Sequence, residues 1–269
     1  MSDAASTLPP DYHTHNLLCK HARGVALDYA RIAAIRRLPA LAATDHCPTD
    51  DRFGDEHRMR LEQFPLYLEM VADARRASEV PVLLGVEADY YRGCEAFLKD
   101  WLQRHPFDVV LGSVHFLDYR GRGPIGRTLT DGLPSPELWR RYFALVAELA
   151  RTGLYDVVAH LDLPKKFGHV LTDEDVERHA LPALQALADA GMALEINTSG
   201  LVQAPGEIYP SPLLLRLARE FGLGLTFGSD AHDPERAGDG FEHALDQARV
   251  AGFTERVEFS GRQARRVAL

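Results

Sequence analysis

Strand-length apolar runs alternate with longer amphipathic stretches along most of the chain. The runs fall at residues 41–44, 82–86, 107–111, 155–159, 193–196 and 223–227 and are rich in Val, Leu, Ile and aromatic side chains. With an opening segment at 11–13 they predict seven strands. Between and after them the periodicity predicts helices over 27–37, 56–78, 94–103, 136–151, 173–190, 212–220 and 241–250. Thr172 ahead of Asp173-Glu174-Asp175, and Ser211-Pro212, supply caps and a first-turn proline for two of these helices. Continuous apolar strands separated by helices indicate parallel pairing, with the helices covering the sheet. Seven such units favour a closed barrel, although periodicity by itself leaves an open sheet possible. No linker-like stretch divides the chain, so residues 1–269 read as a single α/β domain. A last short strand at 257–259 would complete or flank the barrel.

Polar residues gather where the predicted strands stop. The ends carry, in order, His13 and His15; Asp45-His46; Glu87 and Asp89; Ser113 and His115; His160 and Asp162; Glu195 and Asn197; and Ser229-Asp230-Ala231-His232. That end of a parallel barrel is where active sites are built. His13 and His15 alternate on a strand, so both imidazoles reach the same side, and His21 follows in the next loop. Taken singly, each residue fits an ordinary structural role. His46 or His160 could be a hydrogen-bonded histidine, Glu87 a helix cap, and Asp230 an Asx turn. Taken together they would bury several imidazoles without partners, which desolvation disfavours unless a cation holds them. An imidazole-rich set with two carboxylates suits Zn²⁺, Fe²⁺ or Mn²⁺ over Mg²⁺ or Ca²⁺. Asp45 is a candidate to orient a ligand imidazole. His57, His179 and His243 stand among charged residues on helical stretches and read as exposed.

Composition narrows the partners. Hydrophobic residues at 46% and charged residues at 26% are the proportions of a globular protein. A net charge of −9 argues against a nucleic-acid partner, while leaving room for a phosphate where cations are concentrated. No apolar stretch approaches the roughly 20 residues that span a bilayer. Residues 1–10 lack the cationic start and apolar run of a secretion signal. Cys19, Cys47 and Cys94 form no C-x-x-C pair, and a reduced, cytoplasmic setting is expected. Oligomeric state is left open.

The strand-end residues also carry a family resemblance. His13-Thr14-His15, Asp45-His46, Glu87, His115, His160 and Asp230-Ala231-His232 resemble, in order and approximate spacing, the motifs of the polymerase-and-histidinol-phosphatase (PHP) family. The resemblance runs from Asp11 to about Gly240. Gly112-Ser113-Val114-His115-Phe116, Lys165-Lys166-Phe167-Gly168, and Glu195-Ile196-Asn197-Thr198-Ser199-Gly200 with Tyr209-Pro210-Ser211 look like its monofunctional histidinol-phosphatase branch. The resemblance implies a distorted (β/α)7 barrel with three divalent transition-metal ions (Zn, Fe or Mn) at the C-terminal ends of the strands. It implies that His13, His15, Glu87 and Asp230 hold the first ion, and that Glu87 bridges to a second held by His115 and His160. The third would lie among His21, His46 and His232.

The implied reaction is hydrolysis of a small phosphate monoester, L-histidinol phosphate, to L-histidinol and phosphate in histidine biosynthesis. It would proceed by metal-activated hydroxide attack without a covalent enzyme intermediate. Glu87, Asp230 and His232 are the catalytic candidates. Arg23, Lys165 and Lys166 are candidate phosphate contacts, Ser113, Asn197 and Ser229 candidate hydrogen-bonding groups, and Phe116 a candidate packing surface for the substrate ring. The basic, glycine-containing stretch 119–127 reads as a solvated loop or a lid. A nucleotide or sugar phosphate is the alternative substrate, and a non-catalytic metal-binding module the alternative role.

Overall fold

The computed structural model describes residues 8–117 and 133–269. The stretch 119–127 lies outside the described residues. Six strands pair in chain order into one parallel sheet: β1 (Leu41–Ala43), β2 (Val82–Asp89), β3 (Val109–Ser113), β4 (Val157–Val158), β5 (Ala193–Asn197) and β6 (Gly224–Gly228). The opening segment joins the two edges of that sheet. Towards β1, Ala42 N–H donates to Asp11 O (2.7 Å) and Thr44 N–H to Thr14 O (3.0 Å). Towards β6, Tyr12 N–H donates to Phe227 O (2.9 Å) and His15 N–H to Ala231 O (3.0 Å). The result is a distorted (β/α)7 barrel. Its first stave is a pair of isolated bridges, Asp11 with Leu41 and Thr14 with Ala231, where a strand over 11–13 was expected. Pro9 and Pro10, which have no N–H to donate, prevent a ladder from extending backwards.

Helices α1 (Ala26–Ile35), α2 (Phe64–Ala77), α3 (Glu95–Gln103), α4 (Ser135–Thr152), α5 (residues 173–189), α6 (Pro212–Glu220) and α7 (Phe241–Val250) cover the outside. The helix expected from residue 56 begins only at Phe64, after 3-10 turns at Asp55–His57 and Leu61–Gln63. Pro65 is the cause, because proline is tolerated only in a first turn. Within α5, Pro182 cannot donate to the carbonyl four residues back, and the helix widens into a π turn at Val176–Ala180 just before it. Apolar helix faces supply the outer core; α4 alone buries Leu138, Trp139, Tyr142, Phe143, Leu145, Val146 and Leu149. Among the described residues no helix is long and apolar enough to cross a membrane.

A second, smaller core fills the barrel's lower half, with Tyr12, Ala42, Val109, Leu111, Val157, Ala159 and Ala193 meeting Val257 and Phe259. The last two come from an antiparallel hairpin, β7 (Glu255–Ser260) and β8 (Gln263–Ala268), that plugs the N-terminal end. Phe259 N–H donates to Tyr12 Oη (2.8 Å), and the two rings meet edge to face with centroids 5.9 Å apart. The expected strand at 257–259 therefore flanks the barrel as part of β7. With the bottom closed and apolar, the polar strand ends are left at the open top.

Candidate metal centre

Strand parity places the expected ligands together. Side chains at alternate positions of each stave point inward, and above the apolar layer those positions are His13, His15, Glu87, Asp89, Glu195 and Asn197. Five imidazoles are tied at Nδ1. His13 donates to Glu195 Oε1 (2.7 Å), His15 to Asp45 Oδ1 (3.3 Å) and His115 to Asp89 Oδ1 (2.6 Å). His21 donates to Cys19 O (2.8 Å) and His232 to Asp230 O (2.9 Å). With the proton on Nδ1, each Nε2 presents a lone pair. These nitrogens crowd one another: His13 Nε2 is 3.1 Å from His15 Nε2, and His232 Nε2 is 3.0 Å from His21 Nε2. Two facing lone pairs at that spacing repel one another unless a proton or a metal cation lies between them.

Glu87 carries the same message. Its Oε2 lies 2.9 Å from His46 Nδ1, 3.5 Å from His13 Nε2 and 3.7 Å from His15 Nε2. Yet this buried oxygen and the buried Nδ1 atoms of His46 and His160 meet no partner in hydrogen-bonding geometry. Its Oε1 is 3.0 Å from His160 Nε2 and 3.5 Å from His115 Nε2. Among the described residues, donor atoms of five sets lie within 4.8 Å of one another: His13, His15 and Glu87; His13, His160 and Asp230; His46, Glu87 and His115; His21, His46 and His232; and His15, Cys19 and His232. Orphaned, converging nitrogen and oxygen donors of this kind fit divalent transition metals. His160 (φ 27°) and Asp230 (φ 51°) sit in left-handed backbone, a strained conformation that concentrates at functional sites.

Electrostatics agree with the geometry. Burial opposes a charge on His13, but the carboxylates of Glu195, Asp230 and Glu87 outweigh it and lift its pKa well above the usual value. Against the same burial, Asp230 and Asp45 raise His15 to about 9. Glu87 and Asp230 are buried too, and the surrounding imidazoles hold both well below the usual carboxylate range. Burial prevails at His46 and His232, keeping them neutral, His232 with a pKa of about 3. A cage that favours protons on His13 and His15 among ionised carboxylates favours a cation in the same place.

A cavity of about 710 Å³ opens above the cluster. Of the residues considered as substrate contacts, Arg23, Phe116, Lys166 and Ser229 line it. Ser113 and Asn197 are buried beneath, and Asn197 donates from Nδ2 to Glu195 Oε2 (3.0 Å). Lys165 is turned away from the cavity, its Nζ donating to Ile208 O (2.6 Å) and paired with Asp162 (3.1 Å) and Glu207 (3.0 Å). Arg23 is paired with Asp233, whereas Lys166 has no carboxylate partner among the described residues. His57, read as exposed, instead lines the cavity beside His21, because the 3-10 turns before α2 wrap over the mouth.

Three supporting residues have no role legible from the sequence alone. Asp89 receives His115 on one oxygen and the fully buried Arg58 guanidinium on the other; Arg58 also donates to Cys47 O (3.0 Å). Together His115 and Arg58 hold the Asp89 carboxyl well below its ordinary range despite burial. Glu195 receives His13. The positions of Asp89 and Glu195 do carry a signal, since each lies two residues from another inward polar residue on its strand. Arg58 carries none, lying in a stretch that reads as helix.

The geometry has a counterpart among known proteins. The PHP domain family matches residues 11–199. The chain belongs to the PHP family. It is 40% identical over 245 residues to a Deinococcus radiodurans protein named "Probable histidinol-phosphatase", spanning 90% of this chain and 93% of that one. It is 26% identical over 265 residues to the histidinol-phosphatase of Bacillus subtilis, spanning 88% and 98% of the two. The crystal structure of histidinol phosphate phosphatase from Lactococcus lactis, complexed with zinc, L-histidinol and phosphate, superposes with a TM-score of 0.80 at 21% identity. The match covers 97% of this chain and 100% of that one. At that identity the likeness speaks for the fold.

Proposed function

We propose that the chain is a metal-dependent phosphate-monoester hydrolase that converts L-histidinol phosphate to L-histidinol and phosphate. The carrying observation is the convergence of nine donor residues on one barrel mouth, beneath a cavity that also presents Lys166. The names of the relatives support the substrate. His13, His15, Glu87 and Asp230 are assigned to one ion, Glu87, His115 and His160 to a second, and His21, His46 and His232 to a third. His46 also stands within reach of the second position, through its approach to Glu87. When bound, zinc, iron or manganese ions would neutralise phosphate oxygens and bring a water to ionise near neutral pH, at about 7.

The protein's own groups do the rest. Asp45, Asp89 and Glu195 fix the tautomers of three ligand imidazoles. Lys166 and Arg23 attract the phosphate to an otherwise acidic protein. Phe116 and Phe167, both lining the cavity, offer flat apolar faces to the substrate's ring. Asp230 is ionised and His232 neutral, its one proton committed from Nδ1 to Asp230 O, so both act as ligands and neither offers a proton to the leaving group. Direct displacement by water, with no covalent enzyme intermediate, is the proposed course. A reduced cytoplasmic setting accords with three buried free cysteines.

The test is a phosphate-release panel. The reading predicts kcat/KM for histidinol phosphate about 10²-fold or more above that for nucleoside monophosphates and sugar phosphates, as a site fitted to polar substrate groups discriminates. Equal values across the panel would remove the substrate and leave only the phosphatase chemistry.

A further inference from the structure

We propose that Glu195 is a positioning residue that couples two of the metal positions, so that the ions held by His13 and by His160 bind together or not at all. The inference rests on the metal centre proposed above. Glu195 is fully buried and does not line the cavity above the cluster. Its Oε1 receives His13 Nδ1–H (2.7 Å), which aims His13 Nε2 at the cluster. Its Oε2 receives the backbone N–H of His160 (2.9 Å) and Asn197 Nδ2–H (3.0 Å). Through the first contact it sets a ligand on the closing stave. Through the second it anchors the backbone of His160 on the far side of β5, at the residue held in left-handed conformation.

The reach across the barrel is built in. β6 lies between β5 and the closing stave, and its inward position there is Gly228, opposite Asn197. A Cβ at Gly228 would overlap Glu195 Oε1 and the Cβ of His13. The glycine therefore opens the gap through which the carboxylate passes. All three hydrogens at Glu195 come from donors, so the site accepts a group with two acceptor oxygens and rejects an amide. In Glu195→Gln one oxygen becomes an NH₂ that must face His13 Nδ1–H or the His160 and Asn197 donors. Gly228→Ala displaces the carboxylate and leaves its chemistry unchanged.

The experiment titrates wild type, E195Q and G228A with Zn²⁺ against a chromophoric chelator and counts ions per chain, with circular dichroism and thermal scans confirming folding. Both variants are expected to weaken the ions at His13 and His160 in parallel, by about 10–100-fold, the usual effect of losing a ligand's outer partner. The ion at His21, His46 and His232 is expected to be kept. Wild-type stoichiometry with wild-type affinity in a folded E195Q would overturn the coupling, even if its melting temperature fell. Loss of only one of the two ions would overturn it as well. A wild-type protein that binds no Zn²⁺ would instead refute the metal centre itself.

Discussion

At the scale of single residues, the site is defined by which nitrogen of each imidazole is committed. His13, His15 and His115 spend Nδ1 on carboxylates and His21 and His232 spend it on carbonyls, so Nε2 is what remains for a ligand. The two adjacent lysines show how much a contact decides. Lys166→Ala removes a cavity cation and should raise KM for a phosphate monoester about tenfold or more, as expected for a charge-assisted contact of roughly 1.5–3 kcal/mol, with little change in melting temperature. Lys165→Ala strips Asp162, Glu207 and Ile208 O of a shared partner and should lower stability by about 1–3 kcal/mol with KM nearly unchanged. Steady-state kinetics and thermal scans on the pair check both, and a reversed pattern would return Lys165 to the substrate. The sequence could not separate them, because both stand in one polar loop and only the turn at Leu163–Phe167 decides which faces the cavity. Glu87, His115 and Asp230 were legible because acids and imidazoles recurring at successive strand ends are costly to bury together unless a cation joins them. Arg58 was not, since nothing in a charged stretch marks a guanidinium that will be wholly buried against Asp89.

At the scale of elements, the helices and strands followed their apolar periods, and departures trace to prolines. Pro65 delays α2, Pro182 widens α5, and Pro9-Pro10 reduce the first stave to bridges. The terminal hairpin was legible only as a short strand, because its role depends on a long-range contact with Tyr12 that no local pattern encodes. That contact is testable by itself. Tyr12→Phe leaves the buried Phe259 N–H without its acceptor and should cost about 1–3 kcal/mol. The lost hydroxyl points to the bottom of the barrel, so metal content should match wild type. Thermal denaturation with metal analysis separates the two, and a drop in bound metal would mean that the plug and the mouth are not independent.

At the scale of the whole molecule, an apolar bottom and a charged top share one barrel, and the charge has a consequence for stability. Without metal, His13 and His15 have folded-state pKa values above their ordinary 6.5, His15 at about 9. The stability they contribute is therefore complete below pH 6.5 and is lost as pH rises through about 9. With metal bound as proposed, the same nitrogens would be ligands and would carry no proton to lose. The melting temperature of chelated protein should fall between pH 6.5 and 9 relative to metal-loaded protein. Parallel curves would contradict the view that protons and metal compete for one cage. The most direct check of the central claim is phosphate release from L-histidinol phosphate by protein dialysed against a chelator and then returned to Zn²⁺, Mn²⁺ or Fe²⁺. The account predicts no turnover in the chelated protein and recovery on adding back at least one of the three ions. Undiminished release from protein shown to be metal-free would contradict it.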